Sequence, residues 1–451
     1  MEKVKLLIMG AGPAGYVGAI RAAQLGLKPV LLEKNHVGGT CLNRGCIPTK
    51  ALIKAAHIMN DIKNSSIFGI NSTSSFSWPD VTAHARRSVE NNRKGIEFLL
   101  KKNGVRLVRE KGKFIGEKHI EAGDLSFEAE NIILATGSSP ASLPHIKPDG
   151  KEIITSRHAL FLEKLPASLT IVGGGVIGCE FAYIFNSFGV DVTIVEAMKN
   201  IIPSEDKDIS KELQKSLKKQ GISIYKKRMV QSVEKISENR LSVTLDNGKN
   251  FETEKLLSST GRVPCTSSMN LEKTTIAVDK KGFIPVNSMN KTNVDGIYAV
   301  GDIIDSPMLA HTAEHEAVLA VEHIAGENPE KTNYNANPGC IYSEPEVASI
   351  GMTEQKVKDS GISYVTGKCP FKANGKAVAS GDVRGFVKVI VEKESLKLLG
   401  AHIIGQSATD IIAEFLPAFS LSLNAKQNLE LSISISTFCQ TVSLCWFPDR
   451  F

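Results

Sequence analysis

Apolar positions in this chain gather into short unbroken runs that end on glycine, the pattern of strands buried on both faces of a parallel sheet. Val4-Lys5-Leu6-Leu7-Ile8-Met9 leads into Gly10-Ala11-Gly12-Pro13-Ala14-Gly15, small residues at helical spacing run on to Leu25, and Pro29-Val30-Leu31-Leu32-Glu33 follows Gly26. Strand, glycine turn, helix and strand in that order make a complete βαβ unit. The same order returns as Leu169-Thr170-Ile171-Val172, Gly173-Gly174-Gly175-Val176-Ile177-Gly178, a helix through Phe188, and Val190 to Glu196. First glycine and acid lie 23 residues apart in both copies, Gly10 to Glu33 and Gly173 to Glu196. Each copy also closes on a strand ending in Thr-Gly, Ile132 to Gly137 and Leu256 to Gly261. One such ending is an ordinary turn; the pair reads as internal duplication.

The segments between carry less chemistry. Residues 64–80, rich in Ser and Asn, read as a loop, and residues 80–102 as a helix whose Arg86, Arg87, Arg93, Lys94, Lys101 and Lys102 form a solvated face. Residues 206–220 predict a polar helix, and 241–251 a hairpin turning at Asn247-Gly248. From Asn337, strand alternation with Gly385 to Val391 as its clearest run precedes a helix from Ala408, which predicts an α+β C-terminal domain. The fold class is α/β.

At 451 residues, with 42% hydrophobic and 23% charged residues, the chain has the length and apolar content for several cores. Lys plus Arg at 54 against Asp plus Glu at 48 leaves +6, and no block or aromatic-basic stripe gathers that excess, so no nucleic-acid partner is expected. No apolar run approaches the ~20 residues a membrane helix needs. The N-terminus runs straight into a strand without a signal peptide, and eight cysteines are too few for a disulfide framework. The cytoplasm, or a comparable reducing compartment, is the expected location.

The glycines have separate jobs. Gly10 permits a tight turn, Gly12 lets a pyrophosphate approach the backbone, and Gly15 packs the helix closely, with phosphates facing the helix N-terminus and Glu33 accepting hydrogen bonds from an adenosine ribose. Gly173, Gly175, Gly178 and Glu196 repeat the set, which gives two dinucleotide sites. Soon after the first acid comes Gly38-Gly39-Thr40-Cys41-Leu42-Asn43-Arg44-Gly45-Cys46-Ile47-Pro48-Thr49-Lys50. Two cysteines at this spacing fall within little more than a helical turn, near enough for a strained, reducible disulfide, and beside a dinucleotide they point to electron relay. Two other readings stay open: zinc, although no second Cys or His pair of suitable spacing is near, and two buried free thiols. No metal site is expected.

These motifs, in this order over about residues 1 to 430, make the chain resemble the flavin-dependent pyridine nucleotide-disulfide oxidoreductases, and within them the dihydrolipoamide dehydrogenase branch. The resemblance implies FAD at Gly10, Gly12, Gly15 and Glu33, NAD at Gly173, Gly175, Gly178 and Glu196, and Cys41 with Cys46 as the redox-active pair. Tyr298-Ala299-Val300-Gly301-Asp302 is similar to a second FAD fingerprint with Asp302 at the ribityl chain, and Met308 to His311 to the stretch that meets the flavin pyrimidine, which brings in Ala310 and His311. Lys50 and Glu180 match an ion pair beside flavin and nicotinamide, and Thr136, Gly137, Gly261 and Arg262 join the cofactor-binding set. The implied architecture is two Rossmann-like domains, FAD-binding (1–141) and NAD-binding (142–262), a return to the FAD or central domain (263–333), and an interface domain (334–451) that pairs two subunits as a homodimer. The implied reaction is FAD-dependent oxidation of dihydrolipoamide on lipoyl domains of 2-oxo acid dehydrogenase complexes or the glycine cleavage system, with NAD reduced. Thiol exchange at Cys41 would leave Cys46 as the thiolate against the flavin, favoured by Lys50. Glu196 followed by Ala197-Met198, with no adjacent arginine, favours NAD over NADP.

The ending departs from that family's pattern. Its members close on His-Pro-Thr-x-Ser-Glu, whose histidine is the base for the partner subunit's dithiol. Here the last histidine is His402, and Phe438-Cys439-Gln440-Thr441-Val442-Ser443-Leu444 keeps Thr441 and Ser443 but sets Cys439 and Leu444 over the histidine and glutamate. Loss of a general base costs roughly 100- to 10,000-fold in rate, so impaired activity is expected. A displaced reading frame or decay ranks first among the explanations. The alternatives are a C-terminal thiol pair, Cys439 with Cys445, in an NADH-dependent reductase of another disulfide or a metal ion, and a poorly active flavin-carrying subunit of a dehydrogenase complex.

Overall fold

The computed structural model describes residues 1–424, which fall into two compact units. The first holds Met1–Ala51, Thr82–Ala141 and Gly261–Tyr334; the second holds Leu52–Val81, Ser142–Thr260 and the chain from Asn335 onward.

In the first unit, strand Glu2–Met9 lies at the centre of a parallel layer, with Val30–Leu32 and then Arg106–Val108 on one side and Leu125–Leu134 on the other. The far edge of Leu125–Leu134 is shared. Its first half pairs antiparallel with His119–Ala122, which pairs in turn with Gly112–Gly116, and its last residues pair in parallel with Ile297–Ala299. Leu6, Ile8, Leu31 and Ile133 pack against helix Pro13–Gln24 and helix Ala310–Ile324, while Leu7, Met9, Leu32 and Leu134 pack on the other side with Phe114 and Phe127. Side chains alternate along a strand, and because both faces are covered the runs read as continuously apolar. Small residues let the two helices meet: a Cβ on Gly18 would lie 3.2 Å from the Ala317 Cβ. Helix Trp78–Lys102 contributes Val89, Ile96 and Leu100 to this core and leaves Arg86, Arg87, Lys94, Lys101 and Lys102 exposed, a solvated face as expected.

The second unit repeats the parallel layer in the order Ser223–Lys226, Asp191–Glu196, Ser168–Val172, Lys255–Ser258, Ile153–Thr155. A three-stranded antiparallel sheet follows, Val230–Ser237, Arg240–Leu245 and Asn250–Thr253, with Gly248 at φ +80° in the expected hairpin turn. From Asn335 the chain forms an antiparallel sheet in the order Gly339–Ile341, Glu346–Gly351, Leu398–Gly405, Phe386–Glu392, Tyr364–Pro370. The helix expected from Ala408 is broken into Ala408–Ile411, Ile412–Phe415 and Leu416–Ser420, which lay Ile411, Ile412, Phe415 and Phe419 on the sheet. Pro417, at the start of the last piece, cannot donate to a continuous helical ladder. Among the described residues no helix is long and apolar enough to cross a membrane.

One buried cation ties the second unit together. Lys388, in the middle of strand Phe386–Glu392, donates from Nζ to Glu354 Oε2 at 2.6 Å, Asp206 Oδ1 at 2.8 Å and Asp208 Oδ2 at 3.1 Å. Asp206 also caps helix Lys207–Lys219 by accepting from the Asp208 N–H. Burial alone would push the Asp206 carboxyl up, but the hydrogen bonds from Lys388, Asp208 and Glu354 together hold it below its ordinary range. Its contribution is therefore complete above pH ~4 and lost as pH falls through the lower folded-state value. Lys388→Met should cost about 3–5 kcal/mol in urea unfolding at pH 7, because it strands a buried carboxylate. Adding Asp206→Asn should recover part of the loss, and a single-variant loss below about 1 kcal/mol would count against this account.

Candidate active site

The two βαβ copies build the same clamp. In the first, Glu33 is buried, with Oε2 accepting from the Ala11 N–H at 2.9 Å and Oε1 from the Asn35 N–H at 2.8 Å. In the second, Glu196 Oε2 accepts from the Gly174 N–H and Oε1 from the Met198 N–H, both at 2.6 Å. Ala11 and Gly174 each follow the first glycine of the turn, and Asn35 and Met198 each stand two residues past the acid. Gly10 at φ +102° and Gly173 at φ +106° make matching turns. A Cβ on Gly15 would lie 1.7 Å from the Gly10 carbonyl oxygen, and one on Gly178 would lie 2.0 Å from that of Gly173.

The middle glycines differ in kind. A Cβ on Gly175 would meet nothing within 4 Å, and one on Gly12 only the Gly39 Cα at 3.9 Å. Helices Pro13–Gln24 and Val176–Ser187 start on these residues with no side-chain cap and no acid in the first turn. Open space in front of uncapped helical N–H groups fits a pyrophosphate, and a clamped carboxylate at the strand end fits a ribose. Both turns thus have the open backbone and the clamped acid that a dinucleotide would need. Helix Ala310–Ile324, where Ala310 and His311 form the first turn, is likewise uncapped by a side chain.

The cysteine segment is docked on the first turn. The Gly38 N–H donates to the Ala11 carbonyl at 2.7 Å, and Gly39 comes so near Gly12 that a Cβ there would lie 2.5 Å from the Gly12 Cα. Asn43 Nδ2 donates to the carbonyls of Val37 and Gly39, both at 2.9 Å, and holds this bend. Cys41 lies on the short helix Gly39–Arg44, while Cys46 opens helix Cys46–Asn64, with Lys50 one turn further on. Neither thiol is in a disulfide, and both are half-buried. The hydrogen bond with Cys46, then burial and the Cys46 charge, push the Cys41 thiol far above its ordinary range, against a smaller pull from Lys50. Cys41 thus keeps its proton when Cys46 is the thiolate, and a helix N-terminus favours the negative charge at Cys46.

The remaining residues of the first unit form a connected polar network. Arg262 Nε donates to Ser138 Oγ and Nη2 to the Ser138 carbonyl, each at 2.7 Å, with Nε 3.7 Å from Asp302 Oδ2; Ser138 Oγ in turn donates to Asp302. Gly137 and Gly261 lead into the two strands of one antiparallel ribbon, Ser138–Pro140 with Arg262–Pro264, and Thr136 Oγ1 donates to the Cys265 carbonyl at 3.0 Å. Glu316 has no exposed surface and accepts from the Gly301 N–H at 2.7 Å and the Tyr334 hydroxyl at 2.9 Å; burial pushes its carboxyl up. Sequence reasoning missed Asn43, Ser138 and Glu316. Only the polar identity of Asn43 and Ser138 inside motif-bearing segments was there to be noticed, and nothing marked Glu316 among the helix's other acids. Glu180 belongs to the second unit, where its Oε1 accepts from the Tyr342 N–H at 3.0 Å. Cys439, Leu444 and Cys445 lie outside the described residues.

Two clamped glycine cradles with a dithiol seated on one of them define a dinucleotide-dependent redox enzyme. A family model described as pyridine nucleotide-disulphide oxidoreductase matches residues 4–317, and that family's dimerisation domain matches residues 337–437; the chain belongs to this family. It is 41% identical over 433 residues to dihydrolipoyl dehydrogenase 1, mitochondrial, of Arabidopsis thaliana, covering 93% of this chain and 85% of the relative. LpdA from Mycobacterium tuberculosis is similar with a TM-score of 0.92 at 26% identity, covering 98% of this chain and 99% of that one. The HOCl-induced flavoprotein disulfide reductase RclA from Escherichia coli is similar with a TM-score of 0.88 at 25% identity, covering 99% and 100%. The chain is a flavoprotein oxidoreductase, with FAD and NAD as its cofactors.

The matched clamps can be broken separately. Gly15→Ala should cost FAD retention, read from the flavin absorbance of purified protein, since overpacking of this kind costs about 1–3 kcal/mol. Gly178→Ala should leave a yellow protein whose KM for NADH rises about tenfold or more. An unchanged KM for NADH in the second variant would contradict the assignment of the two turns.

Proposed function

We propose that this chain oxidises protein-bound dihydrolipoamide to lipoamide and passes the electrons through FAD to NAD, as a homodimer working on lipoyl domains in a reducing compartment such as the cytoplasm. The observation that carries this reading is the hydrogen-bonded pair Cys41 and Cys46, seated on the first glycine turn with Lys50 beside it. In the oxidised enzyme the pair is a disulfide. A substrate thiolate attacks Cys41 Sγ, the Cys41–Cys46 bond breaks, and Cys46 leaves as the thiolate held by the helix N-terminus and Lys50. The second substrate thiol loses its proton and attacks the substrate sulfur bonded to Cys41, which closes lipoamide and returns Cys41, protonated, to its hydrogen bond with Cys46. A bound FAD would supply a two-electron acceptor for the dithiol and a hydride donor for NAD. Asp302, positioned by Ser138 and Arg262, and the first turn at Ala310 and His311 are proposed to hold the flavin; Lys50 is proposed to act beside the flavin and Glu180 beside the nicotinamide.

The second thiol needs a proton acceptor, and this chain carries Cys439 and Leu444 where the family's His and Glu are expected. The likeness to RclA supports the second reading, reduction of another disulfide with NADH. Two measurements separate these outcomes. NADH with an artificial acceptor should turn over at ordinary speed, while dihydrolipoamide oxidation should be slow at pH 7 and rise steeply towards a thiol pKa near 8.5. Fast dihydrolipoamide oxidation at pH 7 would show that another group serves as base. Cys46→Ser should abolish the long-wavelength thiolate-to-flavin band on reduction and Cys41→Ser should keep it; the reverse result would exchange the two roles.

A further inference from the structure

Two segments of the first unit face the proposed flavin site, the turn Gly301–Ile303 through Asp302 and the first turn of helix Ala310–Ile324 through Ala310 and His311. Glu316 lies six residues after Ala310 on that helix, about 9 Å further along it, and its side chain reaches back to the turn. Oε2 accepts from the Gly301 N–H at 2.7 Å, and Gly301 directly precedes Asp302. The turn also rests on the same helix: Gly301 bends the chain at φ +71°, and a Cβ on it would lie 3.2 Å from the Cβ of Ala313, one turn before Glu316. Oε1 accepts from the Tyr334 hydroxyl at 2.9 Å. Burial and then the Glu316 charge push that hydroxyl above its ordinary range, so it stays a donor.

The other acids of this helix are placed differently. Glu314 accepts from the Tyr16 hydroxyl at 3.3 Å, Glu322 pairs with Arg21 at 2.7 Å, and both keep part of their surface in water. Glu316 has no exposed surface and no Lys, Arg or His partner among the described residues. A buried carboxylate without a cation costs the fold more than a neutral side chain of the same shape. What it provides is charge-assisted hydrogen bonds, about twice as strong as those to a neutral acceptor. One of them falls on the N–H that sets where Asp302 begins. From its other side Asp302 is held by the Ser138 hydroxyl and by Arg262 Nε at 3.7 Å.

We propose that Glu316 is a positioning residue for the flavin: it locks the turn that carries Asp302 to the helix that carries Ala310 and His311, so that the two flavin contacts move as one piece. The inference rests on the reading that Asp302, Ala310 and His311 hold FAD. It adds a residue that acts on the cofactor through Asp302 and not by touching it.

The holoenzyme tests this through its release of FAD, read as the rise in flavin fluorescence after dilution into buffer without free FAD, while far-UV circular dichroism follows the fold in the same samples. Glu316→Leu should speed release about tenfold or more with the far-UV signal unchanged. Glu316→Gln, whose amide oxygen can still accept from the Gly301 N–H, should stay within about threefold of the parent. Because Glu316 acts through Asp302, the double variant Asp302→Ala with Glu316→Leu should release FAD within about twofold of Asp302→Ala alone. Should Glu316→Leu fail to fold, Tyr334→Phe replaces it in the same cycle, with release about threefold faster than the parent and no further gain in the Asp302→Ala background. Release at the parent's rate in Glu316→Leu, or in Tyr334→Phe where it stands in, overturns the inference, as do equal effects of Glu316→Gln and Glu316→Leu or additive effects in the double variant; each leaves the flavin site standing. FAD lost only in step with the far-UV signal assigns Glu316 to the fold alone and overturns it too. No effect of Asp302→Ala on release removes the reading that Asp302 holds the flavin, and the inference falls with it.

Discussion

A carboxylate taken out of water costs several kcal/mol unless hydrogen bonds replace its hydration. Glu33 meets that demand with the Ala11 N–H on the glycine turn and the Asn35 N–H past its own strand. Each such charge-assisted bond contributes about 1.5–3 kcal/mol, enough to fix the turn before any ligand binds. With the turn fixed, Gly38 and Gly39 have a surface to dock on, and that docking sets where helix Gly39–Arg44 begins and so where Cys41 lies. The shape of the glycine turn and the placement of the thiol therefore descend from one buried charge. Glu196 repeats the clamp in the second unit, where no cysteine segment follows it and the clamp fixes the glycine turn alone.

Both βαβ copies, the hairpin at Asn247-Gly248 and the α+β character of the C-terminal part were legible in the sequence because each follows from local spacing: runs of apolar residues, glycine turns and an acid at fixed distance. What was not legible joins residues far apart in the chain. Lys388 meets Asp206 across 182 positions, Ser138 meets Asp302 across 164, and no periodicity relates such partners. Glu316 was hidden for another reason: on helix Ala310–Ile324 it looks like its neighbours Glu314 and Glu322, and only the loop at Gly301 folding over it makes it a buried acceptor. The broken helix after Ala408 shows the opposite limit, since apolar spacing there is satisfied by three short pieces on the sheet as well as by one long one.

The duplicated Thr-Gly endings show how a repeated signal acquires a second use. As strand ends they look alike, yet the residues after them pair with each other, Ser138–Pro140 against Arg262–Pro264, where the segment 142–260 leaves and rejoins the first unit's chain path. Arg262 then turns towards Ser138 and Asp302 within the first unit. A motif residue carried into the cofactor set by resemblance is thus placed as a positioning residue, one that orients Asp302 through a serine no motif mentions.

The histidine nearest the end of the chain bears on where a substrate proton can go. His402 lies within strand Leu398–Gly405, its Nε2 donating to the Met352 carbonyl at 3.1 Å and its Nδ1 buried without a partner. Burial pushes this imidazole below its ordinary range, so it is neutral at pH 7 and its one N–H is committed. An imidazole serves as a base only if it can be reached and can carry the charge it gains. His402 can do neither, so it cannot take over from the histidine expected near the C-terminus. In the oxidised enzyme the pair is a disulfide with no proton to exchange, so thiol exchange at Cys41 depends on how much substrate arrives already deprotonated. The electrostatics that favour the Cys46 thiolate do nothing to produce the thiolate that must attack Cys41.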